Sequence, residues 1–564
     1  MKNPGLDEYD LSKYNGLRNK NFFELDSALK RVLKREFSSI SEEEKIAIFN
    51  HISGYGSLVG GILNTLTEKC HKEGKYGEVQ KYNATGERID EIIYSQEQLE
   101  SRKYSYDYGV VNLDFHKAWK FPFRIVHRYA LAYLMNLNGE GGVSCPLAMT
   151  DGLILALKNL GTEDQKKRYL ELIASENSSS HFFAGQYVTE RVGGSNVAAN
   201  RTIARKSENG KWILNGEKWF CSNPGDLWVT TARIEGSSTI GLFLVPRIKS
   251  DGKLNGHHIL RKKDIIGSKG KVTVEIIYED LEAEELGRPS HGLSNLIKYI
   301  ITISRIHVGI GACGNSRRAV MEALEYAKYR TAYGKNLKNF FIYERTLCEL
   351  VVIQTALLFS NFKSIKFYEL NRPSFKALVP LMKYISSSTA TKISHASILC
   401  LGGNGIINDF SPLPRILNDS IINESWEGTH LLLTEHVVKA LEKKKIREDF
   451  FSILEITKNE ITEFPTEVRE LFQEKYWELK ELLNLKADLK DAYRLKISDL
   501  VYELFSISNL CEEVLEDKKN NIHNSIYLIF LKMLSDIYTY GIGYSLPEES
   551  VFFNAESRKR VLDY

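Results

Sequence analysis

The sequence predicts an α+β fold that is mainly α, with an N-terminal helical domain, a central antiparallel β domain, a C-terminal helical domain and an additional C-terminal helical module. Three observations carry that prediction. Apolar residues recur with helical periodicity from about residue 24 to 182 and again from about 291 to 440. Between them, from 181 to about 286, short runs rich in β-branched and aromatic residues alternate with turn signals. A charged hinge, Glu442-Lys-Lys-Lys-Ile-Arg-Glu-Asp449, then introduces a last helical stretch. The expected domains are 1–180, 181–286, 287–440 and 441–564. A chain of 564 residues is too long for one core.

In chain order, Leu29, Val32 and Leu33, then Ile46, Ile48 and Phe49, mark the first helical stripes. The polar stretch 72–108, rich in Gly, Lys, Glu and Tyr, reads as a loop or irregular insertion. Gly139-Glu-Gly-Gly142 punctuates the next helical segment, which runs through Met149 and Leu153 to Leu160. Strands are expected at 182–188, 202–204, 211–214, 218–222, 227–232 and 240–245. Ser207-Glu-Asn-Gly210 and Asn215-Gly216 supply hairpin turns, because Asn and Gly tolerate positive φ. Val320, Met321, Leu324 and Ala327 then form one stripe of the second helical region.

Composition narrows the function classes. Hydrophobic content of 43% and charged content of 26% suit a globular protein, and a net charge of +3 implies no polyanion partner. The seven cysteines lack C-x-x-C spacing and read as reduced, mostly buried thiols. The start MKNPGLDEYDLSKYNG has no apolar core, and the best membrane candidate, 526–544, is broken by Lys532 and Asp536. The expectation is a soluble cytoplasmic protein. The 13 histidines form no ligand cluster, so no metal site is expected.

Gly309-Ile-Gly-Ala-Cys-Gly314 fits G-x-G-x-x-G, but it continues into the helical run Asn315-Ser-Arg-Arg-Ala-Val-Met-Glu-Ala-Leu. A dinucleotide site needs a strand before the glycines, so these small residues are read as a helix-packing surface. Four other segments form a set. Val188-Thr-Glu-Arg-Val-Gly-Gly-Ser-Asn196 leaves a strand and enters a glycine loop whose N–H groups suit phosphate oxygens. Asn215-Gly-Glu-Lys-Trp-Phe-Cys-Ser-Asn223 puts aromatics and a hydroxyl on one strand. Tyr326-Ala-Lys-Tyr-Arg-Thr-Ala-Tyr-Gly-Lys335 ends a helix in a cationic turn. Leu401-Gly-Gly-Asn-Gly405 precedes Trp426-Glu427-Gly428-Thr429, where a lone carboxylate sits before an apolar helix with Thr429 as its expected N-cap. Taken singly, each reads equally as a turn, a sheet core, a helix end or a capping segment.

In this order the segments resemble the acyl-CoA dehydrogenase family of flavoproteins over roughly residues 130 to 440. The resemblance implies a helical domain, a β domain and a four-helix domain. It also implies FAD as cofactor and an acyl-CoA as substrate. Val188, Thr189, Gly194 and Ser195 are then implied at the flavin and its pyrophosphate. Ser222 would place its hydroxyl at flavin N5, with Phe220 beside the ring. Arg330 and Tyr333 match the turn whose arginine binds the FAD of a neighbouring subunit, Gly402 and Gly403 match a glycine pair at the same ADP group, and Thr429 completes the cofactor set. Glu427 matches the catalytic base, and Arg305, in Ser304-Arg-Ile-His307, an arginine near the active site. Asn196, Leu399 and Ala332 depart from the aspartate, glutamine and threonine common in the family.

A narrower resemblance is to the AidB-like branch. It rests on Ser144-Cys-Pro-Leu-Ala-Met-Thr150, Lys218-Trp-Phe-Cys-Ser222, Leu242-Phe-Leu-Val-Pro-Arg247, Trp426 and the additional module. The reaction implied is α,β-dehydrogenation with Glu427 as base. Two alternatives stand beside it: an AidB-like flavin-binding protein associated with nucleic acid or alkylation stress, and an acyl-CoA oxidase. Residues 441–564 hold 18 Lys and Arg against 24 Asp and Glu, which disfavours a nucleic-acid surface. Arg558-Lys-Arg560 is read as a solvated terminus. Further partners implied are an electron-transfer flavoprotein and other copies of the chain, as a dimer or tetramer.

Overall fold

The computed structural model describes residues 10–72, 74–176, 181–543 and 545–564, so the first nine residues of the polar start lie outside the described residues. The chain forms two compact units that cut across the linear domain ranges. One gathers Met1–Gly60, Ile125–Leu137 and Val308–Tyr564; the other gathers Gly61–Arg124 and Asn138–His307.

The second unit is built on a sheet of seven strands among the described residues. They are β3 (Ala184–Tyr187), β4 (Ile203–Lys206), β5 (Trp212–Ser222), β6 (Leu227–Ile234), β7 (Ile240–Pro246), β8 (His257–Lys262) and β9 (Thr273–Glu285), numbered after the hairpin β1 (Glu78–Tyr82) and β2 (Arg88–Ile93). β6 pairs with β7, β7 with β9, β9 with β5, β5 with β4 and β4 with β6, so the sheet closes on itself. Tyr187, Trp212, Cys221, Trp228, Phe243 and Ile276 fill its core. The expected all-antiparallel pairing is corrected: β3 and β4 both run parallel to β6.

Two further expectations change. Asn215-Gly216 is not a hairpin turn, because β5 runs through it; the register against β9 shifts there, making a bulge. A Cβ at Gly216 would come within 2.6 Å of Thr202 Cα, so glycine serves close strand approach instead. Ser207-Glu-Asn-Gly210 does turn β4 into β5. The stretch 72–108 is no loop: it forms the β1–β2 hairpin and helix α3 (Gln96–Asp107), which opens with a Ser95/Gln98 capping box. β1 and β2 are largely exposed, so their polarity hid them, while Val79 and Ile92 pack on the sheet core.

The first unit is helical. α1 (Ser27–Glu36) starts at Asp26, whose buried carboxylate accepts from Leu29 N at 3.0 Å and from Tyr133 Oη at 2.7 Å. Leu29, Val32, Leu33 and Ile48 are buried, but Ile46 is exposed, since residues two apart on a helix face apart. The principal further helices are α4 (Ile125–Asn136), α5 (Ser144–Leu160), α6 (Thr302–Tyr329), α7 (Phe341–Glu369), α8 (Phe375–Leu401), α9 (Leu413–Ser425) and α10 (His430–Leu441); α2 is Glu42–Leu58, and α5 belongs to the second unit. Gly309 and Gly314 lie inside α6. A Cβ on them would meet Met382 Cγ at 2.9 Å and Tyr133 O at 2.6 Å, which confirms a packing surface.

The additional module comprises α11 (Lys444–Glu460), α12 (Thr466–Leu483), α13 (Arg494–Lys519), α14 (Ile526–Tyr540) and α15 (Ala555–Asp563), with α13 packed on α7 and α14. Part of its acidity is spent internally, since Arg31 of α1 pairs with the buried Glu513 at 2.6 Å and Asp517 at 2.9 Å. Arg558 is a correction. It is buried, donates to Glu344 at 2.7 Å and covers the Phe341 ring. Stretches Glu42–Cys70 and Pro289–Tyr329, rather than 526–544, are long and apolar enough to cross a membrane by length and composition, and 61% of the second one's apolar window is buried in the protein.

Candidate active site

In the second unit, the register of β5 against β9 shifts between Lys218 and Cys221, so that after the buried Lys218 the strand leaves Phe220 49% exposed, buries Cys221 and turns Ser222 partly outward. Ser222 Oγ lies 3.0 Å from Thr273 Oγ1, its partner across β9, and Lys271 Nζ lies 3.2 Å from the same Ser222 oxygen. Asn223 ends the strand at φ 51°, and its buried amide donates to Ala184 O at 3.0 Å.

The loop after β3 is held from inside. Thr189 O accepts from Trp219 N at 2.8 Å, tying it to β5. Glu190, facing inward, accepts from Lys218 Nζ at 2.8 Å, Thr202 Oγ1 at 2.7 Å and Arg201 N at 2.5 Å. Burial opposes its charge, yet these donors win and hold its carboxyl below the usual carboxylate range. Gly193 pairs with Glu190, and a Cβ at Gly194 would sit 2.5 Å from Thr189 Oγ1. Ser195 is left exposed at the loop tip, and Val188 is partly buried at its base. Arg305 is partly buried between two anchored neighbours. Ser304 Oγ accepts from Gln186 at 3.3 Å, and His307 Nε2 meets Asp151 at 2.9 Å.

In the first unit, Arg330 follows α6, and Tyr333 tops its turn at φ 50°, 98% exposed. α8 ends at Gly402 with φ 59°, and a Cβ on Gly402 or Gly403 would meet nothing within 4 Å. Asn404 donates to Tyr326 Oη at 3.0 Å, bringing the glycine pair to the end of the helix that precedes Arg330.

Glu427 lies between α9 and α10. Trp426 is extended, Glu427 takes φ 56° and Gly428 φ 104°, so the carboxylate sits on left-handed backbone that glutamate rarely adopts. Lys383, buried on α8, donates to Gly428 O at 2.7 Å and to Glu424 O at 3.1 Å. Thr429 occupies the N-cap of α10, but its side chain makes no capping bond. The expected N-cap position is therefore met, and the exposed Thr429 side chain is not spent on the helix.

Known proteins share this plan. The chain matches the adaptive response protein AidB N-terminal domain over 13–178, the acyl-CoA dehydrogenase middle domain over 185–281 and the acyl-CoA dehydrogenase C-terminal domain over 291–442. The chain belongs to the acyl-CoA dehydrogenase family. Within the family it is 26% identical to the putative acyl-CoA dehydrogenase AidB of Escherichia coli K12, covering 76% of this chain and 79% of that protein. The structure of Caenorhabditis elegans ACDH-11 in complex with C11-CoA superposes with a TM-score of 0.83 at 23% identity, covering 94% of each chain. An acyl-CoA dehydrogenase from Bacillus anthracis complexed with FAD gives 0.70 at 18% identity, covering 93% and 92%.

FAD is the cofactor of an acyl-CoA dehydrogenase, and the residues present suit it. A half-exposed aromatic lies beside a strand hydroxyl, one glycine loop keeps its outer face open, and Gly402 and Gly403 leave room for close approach. Sequence reasoning missed the supporting residues Glu190, Lys218, Lys271 and Lys383. For Lys218 a signal existed, a charged residue at an inward position of a strand between Leu214 and Cys221. A separate cavity of about 360 Å³, lined by Ile92, Tyr94, Phe183, Trp228, Arg247 and His257, involves none of the candidate site residues.

Proposed function

We propose that this acyl-CoA dehydrogenase family member is an FAD-dependent enzyme that introduces an α,β double bond into an acyl-CoA thioester. The observation that carries the reading is the left-handed backbone of Glu427, in a turn whose Glu424 and Gly428 carbonyls both accept from the buried Lys383. A carboxylate on an uncommon backbone conformation, in a turn fixed from behind, suits presentation of a base to a substrate. Glu427 removes the Cα proton, and the C–H electron pair becomes the new π bond as a hydride leaves Cβ. When bound, FAD supplies the acceptor for that hydride.

The remaining residues bind and orient. Ser222 places its hydroxyl at flavin N5, and Phe220 lies along the ring. Val188, Thr189, Gly194 and Ser195 line the flavin and its pyrophosphate, with Thr429 completing the contact. Arg305 supports the reacting end of the substrate. Arg330, Tyr333, Gly402 and Gly403 serve the ADP portion of a second copy's FAD, in a dimer or tetramer. Exposed apolar side chains in the same unit, Ile342, Leu399 and Ile406, suit a surface covered by that copy. An electron-transfer flavoprotein suits the role of electron acceptor.

The test is an anaerobic titration of the flavin-loaded protein with a panel of acyl-CoAs, following the oxidised flavin band. Bleaching with one acyl class, lost in Glu427→Gln while flavin stays bound, supports the proposal. Bound flavin that no acyl-CoA bleaches favours a flavin-binding protein of the AidB type. Rapid recolouring in air with stoichiometric peroxide favours an oxidase.

A further inference from the structure

We propose that Lys271 is a positioning residue that restricts the donor direction of Ser222 and places a positive charge beside the flavin N5 locus. The inference rests on the reading above, in which the Ser222 hydroxyl meets N5. Lys271 is 4% exposed, and its Nζ lies 3.2 Å from Ser222 Oγ and 2.9 Å from Thr273 Oγ1. Those two hydroxyls are 3.0 Å apart.

An ammonium group only donates, so both hydroxyl oxygens accept from Lys271. One proton is then shared within the Ser222–Thr273 pair. If Thr273 donates it, Ser222 accepts twice and has its single O–H left to donate out of the triad. Lys271 fills one side of the Ser222 oxygen with its own protons, so the Ser222 O–H points only toward Thr273 or out of the triad; without Lys271 it also turns into the vacated side.

The backbone holds Lys271 in place. Ser268 takes φ 55°, and its carbonyl accepts from Lys271 N at 3.3 Å. Gly270 O accepts from the buried Gln98 Nε2 at 2.7 Å, and a Cβ on Gly270 would stand 2.2 Å from Glu140 O. Glu140 is itself rigid, its carboxylate accepting from Gly142 N at 2.8 Å, Val143 N at 2.9 Å and Cys145 N at 2.8 Å at the start of α5. A long, flexible side chain is thus anchored at both ends. Two electrons arriving at a flavin leave it more negative, so a fixed cation near N5 favours the reduced state and any nucleophile adding there.

Sulfite is the probe. Its sulfur lone pair forms a bond to N5 while the ring takes up the displaced electron pair, and the adduct bleaches the visible band without substrate or turnover. In the full-length, FAD-loaded protein, Lys271→Met should weaken sulfite binding roughly tenfold or more and lower the flavin reduction potential. Lys271→Arg keeps the charge and should restore affinity to within about threefold. Wild-type sulfite affinity and potential in Lys271→Met with FAD retained would overturn the role of Lys271. Unchanged affinity in Ser222→Ala as well would instead overturn the placement of the flavin.

Discussion

Lys383 Nζ stands 2.7 Å from the carbonyl oxygen of Gly428, the residue that follows the candidate base. The same ammonium reaches Glu424 O at 3.1 Å, so one buried side chain on α8 holds both sides of the turn between α9 and α10. His430 adds a second contact, its ring 4.9 Å from that of Tyr384 on the same helix. The turn is therefore clamped to a long helix rather than left as a mobile connection.

Lys383→Met should remove the donor from two carbonyls and cost about 1–3 kcal/mol of unfolding free energy. Denaturant titration reads this directly. Turnover should fall, and because the clamp also holds Gly428, next to the cofactor contact Thr429, FAD content should be measured alongside it. A variant with unchanged stability would show that the two carbonyls do not depend on Lys383.

Glu427 carries two separable properties, its carboxylate and its backbone. Glu427→Gln preserves shape and should lower turnover roughly 10²- to 10⁴-fold. Glu427→Gly also removes the base, but it relieves left-handed strain and should raise stability by up to about 1 kcal/mol. Thermal unfolding of the two variants distinguishes them. Equal melting temperatures would mean that the φ of 56° stores no strain.

The site was legible in sequence to different depths. Glu427, Ser222 and the Val188–Ser195 loop stand out as residue types in order, because function fixes chemistry at few positions. The sheet was legible as strands from β3 to β7, with β5 divided in two, but β8 and β9 carried no strand expectation, and the parallel contacts of β3 and β4 with β6 join segments with no local signal. The β1–β2 hairpin failed for the opposite reason, since β1 alternates only between exposed and half-buried positions and β2 buries Asp90 alone, so neither strand carries an apolar period. Lys271 and Lys383 were hidden by type, as lysine ordinarily marks a solvated surface, whereas Lys218 carried a signal in its inward strand position that went unread.

The Glu190–Lys218 pair makes an acid-stability prediction. Both side chains are buried, and the donors around Glu190 lower its pKa in the folded protein. Its stabilising contribution is complete above the ordinary carboxylate pKa near ~4.3 and is lost as pH falls through the lower folded value. Melting temperature followed from pH 7 downward should therefore drop on the acid side, and Glu190→Gln should flatten that limb. Lys218→Met, which strands a buried carboxylate, should cost about 3–5 kcal/mol at neutral pH. A parallel acid limb in Glu190→Gln would assign the acid sensitivity to other groups.

The exposed apolar residues near the Gly402 turn give the last prediction. Ile406 is 72% exposed and Ile342 63%, in the same unit as the exposed Tyr333 and the Gly402–Gly403 pair. If a second copy covers them, light scattering on the purified protein should give a dimer or tetramer mass. Ile406→Asp and Ile342→Asp would then bury unpaired carboxylates at the contact and shift the mass toward a monomer. Because Arg330 and the Gly402–Gly403 pair would serve the neighbour's FAD, the same variants should release flavin although they touch none of the residues around Ser222. Arg330→Ala should lose flavin without losing the oligomer. A wild-type monomer that retains FAD would place the whole cofactor site within one chain and remove the neighbour's role.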